Sequence, residues 1–292
     1  MAEKPVSKNT KNMSTKLFES LIVGPIHSRR LGSSLGINLL PEHGKICTFD
    51  CIYCECGWNK DHKEDKIIPA AAQVKEALTK RAVELTNEGI KVDSITFSGN
   101  GEPTTHPEFA KIVDITVSIR DKYLKGAKVS VLSNASMIWK EEVRQALAKV
   151  DNPILKIDST DAALVRAVNR PAPGYSLSKT IENLKKFNGN FILQTIFFKG
   201  KAEDPQSGQI LDIDLTDKAL AEDWRKLARE LRPRQIMMYT LDRDTPAKGL
   251  SKATMDEMRE IALPLAREGF NITINGEPVV AERSCEGRQS LR

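Results

Sequence analysis

The sequence predicts a parallel α/β fold, a sheet either open or curled into a barrel with helices outside it, and three observations carry that reading. Short apolar runs alternate with helical repeats along the chain. The residues that stand out chemically fall just after those runs, where parallel sheets place their ligands. And 292 residues suffice to bury a core in one domain of barrel size without disulfide staples.

Taken in order, the first strand candidate is a weak one, Gly36 to Leu40. Val74, Leu78, Ala82 and Leu85 then recur at helical spacing, and Gly89 follows as a stop. The run ITFS at 95–98 reads as a buried strand, and Phe109, Ile112, Val113, Thr116 and Val117 as the next helix. Further strands are expected at 129–133, 154–158, 191–198 and 236–240, with a weaker one at 271–274. Between the last two strong strands, Leu220, Trp224, Leu227 and Leu231 make the clearest helix, which Asp217 is placed to cap. Alternation of this kind implies right-handed βαβ units. The chain divides into a tail over 1–18, a core over 19–250 and a helix-and-strand extension over 251–292 belonging to the same domain. The residues up to about Lys16 and the closing EGRQSLR are expected to be mobile.

Composition excludes several classes. No stretch of about eighteen apolar residues occurs, so no membrane partner is expected. The beginning, MAEKPVSKNTKNMSTK, is polar and lysine-rich where a secretory peptide is apolar, and a cytoplasmic location is expected. A net charge of +5, from 44 basic and 39 acidic residues, is too mild to diagnose nucleic-acid binding.

The stretch ICTFDCIYCECGW holds Cys47, Cys51 and Cys54 in a C-x3-C-x2-C spacing, with Tyr53 before the last and Cys56 just beyond. In a reducing compartment such a cluster is metal-binding or catalytic rather than disulfide-bonded. A structural zinc site needs a fourth ligand, usually from a second pair, yet His27, His43, His62 and His106 form no H-x3–5-H pair and the one distant cysteine is Cys285. An electron carrier needs four cysteines per cluster, and Cys56 does not match a ferredoxin spacing. Three cysteines leave one iron open, as a catalytic site requires. Further along, Gly99, Asn100, Gly101, Glu102 and Pro103 follow the 95–98 strand; two glycines so close suit a backbone that approaches a ligand, although no GxGxxG or P-loop pattern is present. Ser133, Asn134, Asp158, Tyr239, Thr240 and Asp242 likewise sit at strand ends.

These segments resemble the radical S-adenosylmethionine (radical SAM) superfamily. GPIHSRRLGSSLG, ICTFDCIYC, FSGNGEPTTHPEF, LKIDS, AVNRP, LQTIFFKG and YTLDR, spread over about Leu21 to Leu250, resemble the branch that includes the tRNA wybutosine-synthesising enzymes. The resemblance implies an incomplete six-stranded (β/α) barrel and two cofactors, a [4Fe–4S] cluster and S-adenosyl-L-methionine (SAM). It implies that Cys47, Cys51 and Cys54 hold three irons and that the fourth chelates SAM. Gly99, Asn100, Gly101 and Glu102 match the segment lining the methionine amino group. Lys156 and Asp158 match the strand facing carboxylate and ribose, with Asn134, Gln194 and Tyr239 as looser assignments beside Tyr53. The chemistry implied is reductive cleavage of SAM by the cluster, after which the adenosyl radical takes a hydrogen atom from a substrate. That requires a low-potential donor of the flavodoxin or ferredoxin type, while the substrate stays unassigned and tRNA gains no support from charge.

Other readings remain open beside these. Lys156 and Asp158 could be only a buried ion pair; His106, in THPEF, reads as the start of a helix; Arg29 and Arg30 suit an anionic substrate or a solvated loop equally. Asp50 and Glu55 flank the ligands, and their charge is expected to lower the cluster potential. The wybutosine enzymes carry a second cluster on cysteines ahead of the SAM motif and a lysine that engages pyruvate. No cysteine precedes Cys47 here, so a single cluster is expected, with Cys56 and Cys285 as incidental thiols. Lys45 and Lys156 are the conceivable Schiff-base lysines, since burial can depress a lysine pKa, with ion pairing the ordinary state.

Overall fold

The computed structural model describes residues 17–62 and 64–280. Cys285, both expected mobile tails and the end of the C-terminal extension lie outside those residues. A hairpin of β1 (Ile22–Ser28) and β2 (Gly32–Ile37) opens the fold. Then follow α1 (Ala71–Asn87), β3 (Ser94–Phe97), α2 (Phe109–Tyr123), β4 (Lys128–Ser133), α3 (Glu141–Ala148) and β5 (Asn152–Lys156). Next come α4 (Ala162–Asn169), α5 (Leu177–Lys185), β6 (Ile192–Ile196), β7 (Phe198–Glu203), β8 (Ile210–Asp214), α6 (Lys218–Leu231) and β9 (Gln235–Tyr239). The short β10 (Ser251–Lys252), α7 (Met255–Arg267), β11 (Ile272–Ile274) and β12 (Glu277–Pro278) complete the described chain.

One sheet runs β1-β2-β3-β4-β5-β6-β9-β11-β12, parallel from β2 to β11 and antiparallel at its two edges. It curls into a half-barrel. Leu31, at the near edge, packs on Ile154, Ile192 and Met237 of β5, β6 and β9, and Arg29 pairs with Asp242 beyond β9 at 2.6 Å. A flat sheet would hold these groups several strands apart.

The resemblance implies six parallel strands, and the described residues hold seven, the seventh being the weak candidate at 271–274, which α7 returns to lie as β11 beside β9. Both weak strand candidates are real, although the first is shifted toward the hairpin turn. The run at 191–198 is two elements: β6 ends at Ile196, and Phe198 begins a separate three-stranded antiparallel sheet ordered β10-β7-β8. Apolar content alone does not mark where a buried strand leaves one sheet for another.

The helices bury the faces their repeats indicate. α1 buries Ala71, Val74, Leu78, Ala82 and Leu85, and α6 buries Ala221, Trp224, Leu227, Ala228 and Leu231. Asp217 caps α6, accepting from the backbone N–H groups of Ala219 and Leu220 at 2.9 and 3.1 Å. The Trp224 ring meets Phe197 edge-on at 5.5 Å, and its buried N–H donates to Thr195 Oγ1 at 3.0 Å. Among the described residues no helix is long and apolar enough to cross a membrane.

Candidate functional site

The cysteines lie on a stretch with little regular structure, so other elements must hold it. They do so through its backbone. Ile46 N donates to Asn100 O at 3.0 Å and Glu102 N to Ile46 O at 3.0 Å, which stitches the loop to the GNGEP turn after β3. Asp50 N donates to Asn169 O, Ile52 N to Val168 O and Ala172 N to Thr48 O, at 3.0, 2.9 and 2.7 Å, so the end of α4 holds the middle. Ala247 N, from the segment after β9, donates to Ile52 O at 3.1 Å. The glycines of the turn belong to this stitching. Gly101 has φ +133°, and a Cβ there would lie 1.9 Å from Ile46 O; at Gly99 it would lie 2.2 Å from Asn38 Oδ1. The close backbone approach expected from the sequence is therefore made to the chain itself.

Cys47, Cys51, Cys54 and Cys56 are half-buried free thiols. Each expected ligand has a donor beside it. Cys47 Sγ accepts from Phe49 N at 3.4 Å and faces Asn134 Nδ2 at 3.7 Å; Cys51 Sγ faces Asn169 Nδ2 at 3.6 Å. Lys45, its side chain fully buried, donates to Gly57 O at 2.5 Å and lies 3.7 Å from Asp50 Oδ1. Burial by itself would lower its pKa, but Cys54, Cys47, Cys51 and Asp50 outweigh that and hold it above the usual lysine value. Burial and the Cys51 charge push Cys47 up; burial and Cys54 push Cys51 up to about 11. Cys54 is lowered to about 6, chiefly by a hydrogen bond from Cys56, against burial and with help from Lys45.

This donor set fits an iron–sulfur cluster. The thiols are soft ligands, unpaired by disulfides, and they sense one another across a small space. Among the described residues no three His, Cys, Asp or Glu side chains are grouped to hold a single ion. A cluster asks for something else, since each thiolate bonds its own iron. Asp50 and Glu55, expected to lower the potential, are each matched by a cation: Asp50 faces Lys45, and Glu55 pairs with Arg243 at 2.6 Å.

Behind the loop the barrel interior carries a connected polar group. Tyr53 OH donates to Asp158 Oδ2 at 2.5 Å, and Asn169 Nδ2 donates to the same oxygen at 2.7 Å and to Tyr53 OH at 2.9 Å. Asp158 Oδ1 accepts from Ile196 N at 3.2 Å and pairs with Lys156 Nζ at 3.0 Å. Lys156 also donates to Tyr239 OH and lies over the Tyr53 and Tyr239 rings at 4.9 and 4.5 Å. Burial pulls its pKa down, but Asp158 and Tyr239 more than offset that, so the ammonium is kept. Both lysines considered for a Schiff base are thus held charged, and neither offers a free amine. Gln194, in register with Lys156 on the neighbouring strand, is buried, and its Nε2 has no hydrogen-bond partner. A buried amide with a donor left over awaits a ligand or water.

The GNGEP side chains are otherwise engaged. Asn100 Nδ2 donates to Phe18 O and Pro41 O at 3.0 and 2.7 Å, and its Oδ1 accepts from Phe18 N at 2.8 Å. Glu102, buried and with its pKa raised by that burial, accepts from Thr104 N, Ser133 Oγ and Asn134 N at 3.1, 2.8 and 2.6 Å. Asn134 donates to Thr48 Oγ1 at 2.9 Å. His106 begins the turn into α2, as its bland reading has it: its Nδ1 accepts from Glu108 N, so its Nε2 donates to Pro69 O at 2.9 Å. Arg29 is ion-paired with Asp242, and Arg30 stacks on Tyr239 at 4.9 Å.

Asn169 escaped the sequence reading although it lies in the quoted AVNRP. The available signal was a polar residue closing a helix whose other buried positions, Leu164, Val165, Ala167 and Val168, are apolar.

The chain belongs to the radical SAM superfamily, whose profile matches residues 42–204. Membership places it among enzymes that use a [4Fe–4S] cluster and SAM. A UPF0026 protein of Methanocaldococcus jannaschii is 34% identical over 173 residues, which are 59% of this chain and 51% of the relative. The chain thus spans about half the length of that relative. Of solved structures, a radical SAM methyltransferase from Sphaerobacter thermophilus aligns with a TM-score of 0.59 at 14% identity, covering 82% of this chain and 65% of that one. The structure of TYW1 with a lysine–pyruvate adduct bound aligns with a TM-score of 0.53 at 14% identity, covering 82% and 74%. At that identity the likeness is one of fold.

Proposed function

We propose that this member of the radical SAM superfamily binds one [4Fe–4S] cluster through Cys47, Cys51 and Cys54, cleaves SAM reductively and takes a hydrogen atom from a substrate. One observation supports the reading above the rest. Tyr53, next to the last ligand, is bonded to Asp158, so the cysteine loop and the carboxyl ends of β5, β6 and β9 share one polar centre.

When bound, cluster and SAM supply the electron and the radical. The chain's own residues hold and orient. Lys156 presents a charged ammonium for a carboxylate, and Gln194 Nε2 a donor that nothing else uses. The Glu102 network fixes the turn whose backbone faces the loop, while Leu31, Ile154, Ile192 and Met237 close the interior below with apolar groups. Cys56 Sγ, which lies beside Cys54 and 3.7 Å from Gly99 O, is a neighbour of the ligand set rather than a member of it in this reading. The electron comes from a low-potential protein of the flavodoxin or ferredoxin type. The reading stops short of pyruvate chemistry, because the neighbours of Lys45 and Lys156 hold both as ammonium ions.

Anaerobic reconstitution tests this reading. About four irons and four sulfides per chain are expected, with a reduced-cluster electron paramagnetic resonance (EPR) signal that changes when SAM is added. About eight irons, or a signal indifferent to SAM, would count against it.

A further inference from the structure

Each of the three ligand cysteines meets a nitrogen donor, but the donors are not equivalent. Lys45 is anchored on Gly57 O, and Asn134 gives its shorter contact to Thr48. Asn169 differs. It is buried, it closes α4, and its amide nitrogen, with two hydrogens, faces three acceptors: Asp158 Oδ2 at 2.7 Å, Tyr53 OH at 2.9 Å and Cys51 Sγ at 3.6 Å. Its backbone carbonyl accepts from Asp50 N at 3.0 Å, so the same residue grips the cysteine loop from the other side. Tyr53 OH already donates to Asp158 Oδ2, so the carboxylate does not depend on Asn169 for a partner. Tyr53 OH also lies beside the Cys51 sulfur, but its one hydrogen goes to Asp158 Oδ2, which leaves Asn169 Nδ2, at 3.6 Å, as the side-chain N–H aimed at that sulfur.

We infer that Asn169 is a positioning residue that ties the Cys51 corner of the cluster to the Tyr53–Asp158–Lys156 network and, through its N–H toward Cys51 Sγ, raises the reduction potential of the cluster. The physical basis is that a reduced cluster carries one more negative charge, and a donor aimed at a ligand sulfur stabilises that charge. This rests on the cluster reading given above. A thiolate bonded to iron accepts more strongly than a thiol, so the shared second hydrogen turns further from the Tyr53 oxygen toward sulfur when the cluster is in place.

The experiment is EPR-monitored potentiometric titration of the reconstituted full chain and of Asn169→Ala and Asn169→Ser. The Ala variant should bind iron and sulfide like the parent but show a more negative midpoint. A roughly tenfold loss in the relative stability of the reduced state corresponds to about 59 mV for one electron. Asn169→Ser, which keeps a smaller donor, should fall between. A fully loaded Ala variant titrating at the parent potential would overturn the inference while leaving the cluster reading intact. Should the Ala variant lose iron, the Ser variant decides, and a parent-like midpoint there refutes it. A parent chain that yields no reducible cluster would remove the reading on which the inference rests, a different failure.

Discussion

The two halves of the barrel interior solve the same problem differently. Along β2, β3 and β4 the inward positions are hydroxyls: Ser34 meets Thr96 at 2.8 Å, Thr96 meets Ser94 at 3.0 Å, and Ser94 meets Ser130 at 2.9 Å. Asn152, at the foot of β5, donates to Ser130 at 3.0 Å and closes the ladder. Two and four residues on along the same face of β5 the inward groups change to Ile154 and Lys156, followed by Asp158, with Gln194 and Tyr239 on the next strands. The ladder is neutral, and every hydroxyl serves another. The second half holds an ion pair and one amide nitrogen that serves nothing. A self-satisfied interior is complete as it stands, whereas leftover capacity marks where a ligand is accommodated.

Substitutions can break or sharpen that contrast. The largest effect should come from the loop feeding the second half: alanine at Cys47, Cys51 or Cys54 is expected to abolish the broad visible absorption of the reconstituted cluster, while Cys56→Ala keeps it. Loss of colour in the Cys56 variant would point to a four-thiolate site. Next, Lys156→Met leaves Asp158, whose side chain is 1% exposed, without its cation. Denaturant unfolding should record a loss of about 3–5 kcal/mol, and SAM binding should weaken by calorimetry. In the neutral half, Ser94→Ala should cost only about 1–3 kcal/mol and leave SAM affinity at the parent value. Equal effects on SAM binding from the two halves would dissolve the distinction.

Smallest, and remote from both halves, is the cap of α7. Thr254 Oγ1 accepts from Glu257 N at 3.2 Å, and the Glu257 carboxylate accepts in return from Thr254 N at 2.8 Å. Thr254→Ala should cost about 1 kcal/mol without touching cofactor binding. Lys199 and then Thr254 hold the Glu257 carboxyl down at about 2 against an ordinary 4.5. Because the folded pKa is depressed, this group's contribution is full above about 4.5 and disappears as pH falls through about 2. A parent-minus-Glu257→Gln stability difference that grew on acidification would contradict the assignment.

Much of this was legible in sequence because it follows simple periods. Val74 to Leu85 and Leu220 to Leu231 repeat at helical spacing, and both stripes are buried. The cysteine spacing, read with the motifs beyond it, indicated the family. What escaped depends on pairing across the chain. The hydroxyl ladder is invisible because Ser34, Thr96 and Ser130 look like surface residues until strands set them side by side. Asn169 lies 118 residues from the Cys51 it faces, a relation no local pattern encodes. The glycines of GNGEP signalled a close approach without naming its partner, which proved to be Ile46 and Asn38. The hairpin of β7 and β8 was missed because β7 past Phe198 is polar and half-exposed, and the apolar residues of β8 alternate over only five positions.

The measurement that bears most directly on the central claim is product analysis of the anaerobic, reconstituted chain mixed with dithionite and SAM. The account predicts release of 5′-deoxyadenosine and methionine, abolished by alanine at Cys51 and retained in Cys56→Ala. A reducible cluster that yields neither product would contradict it.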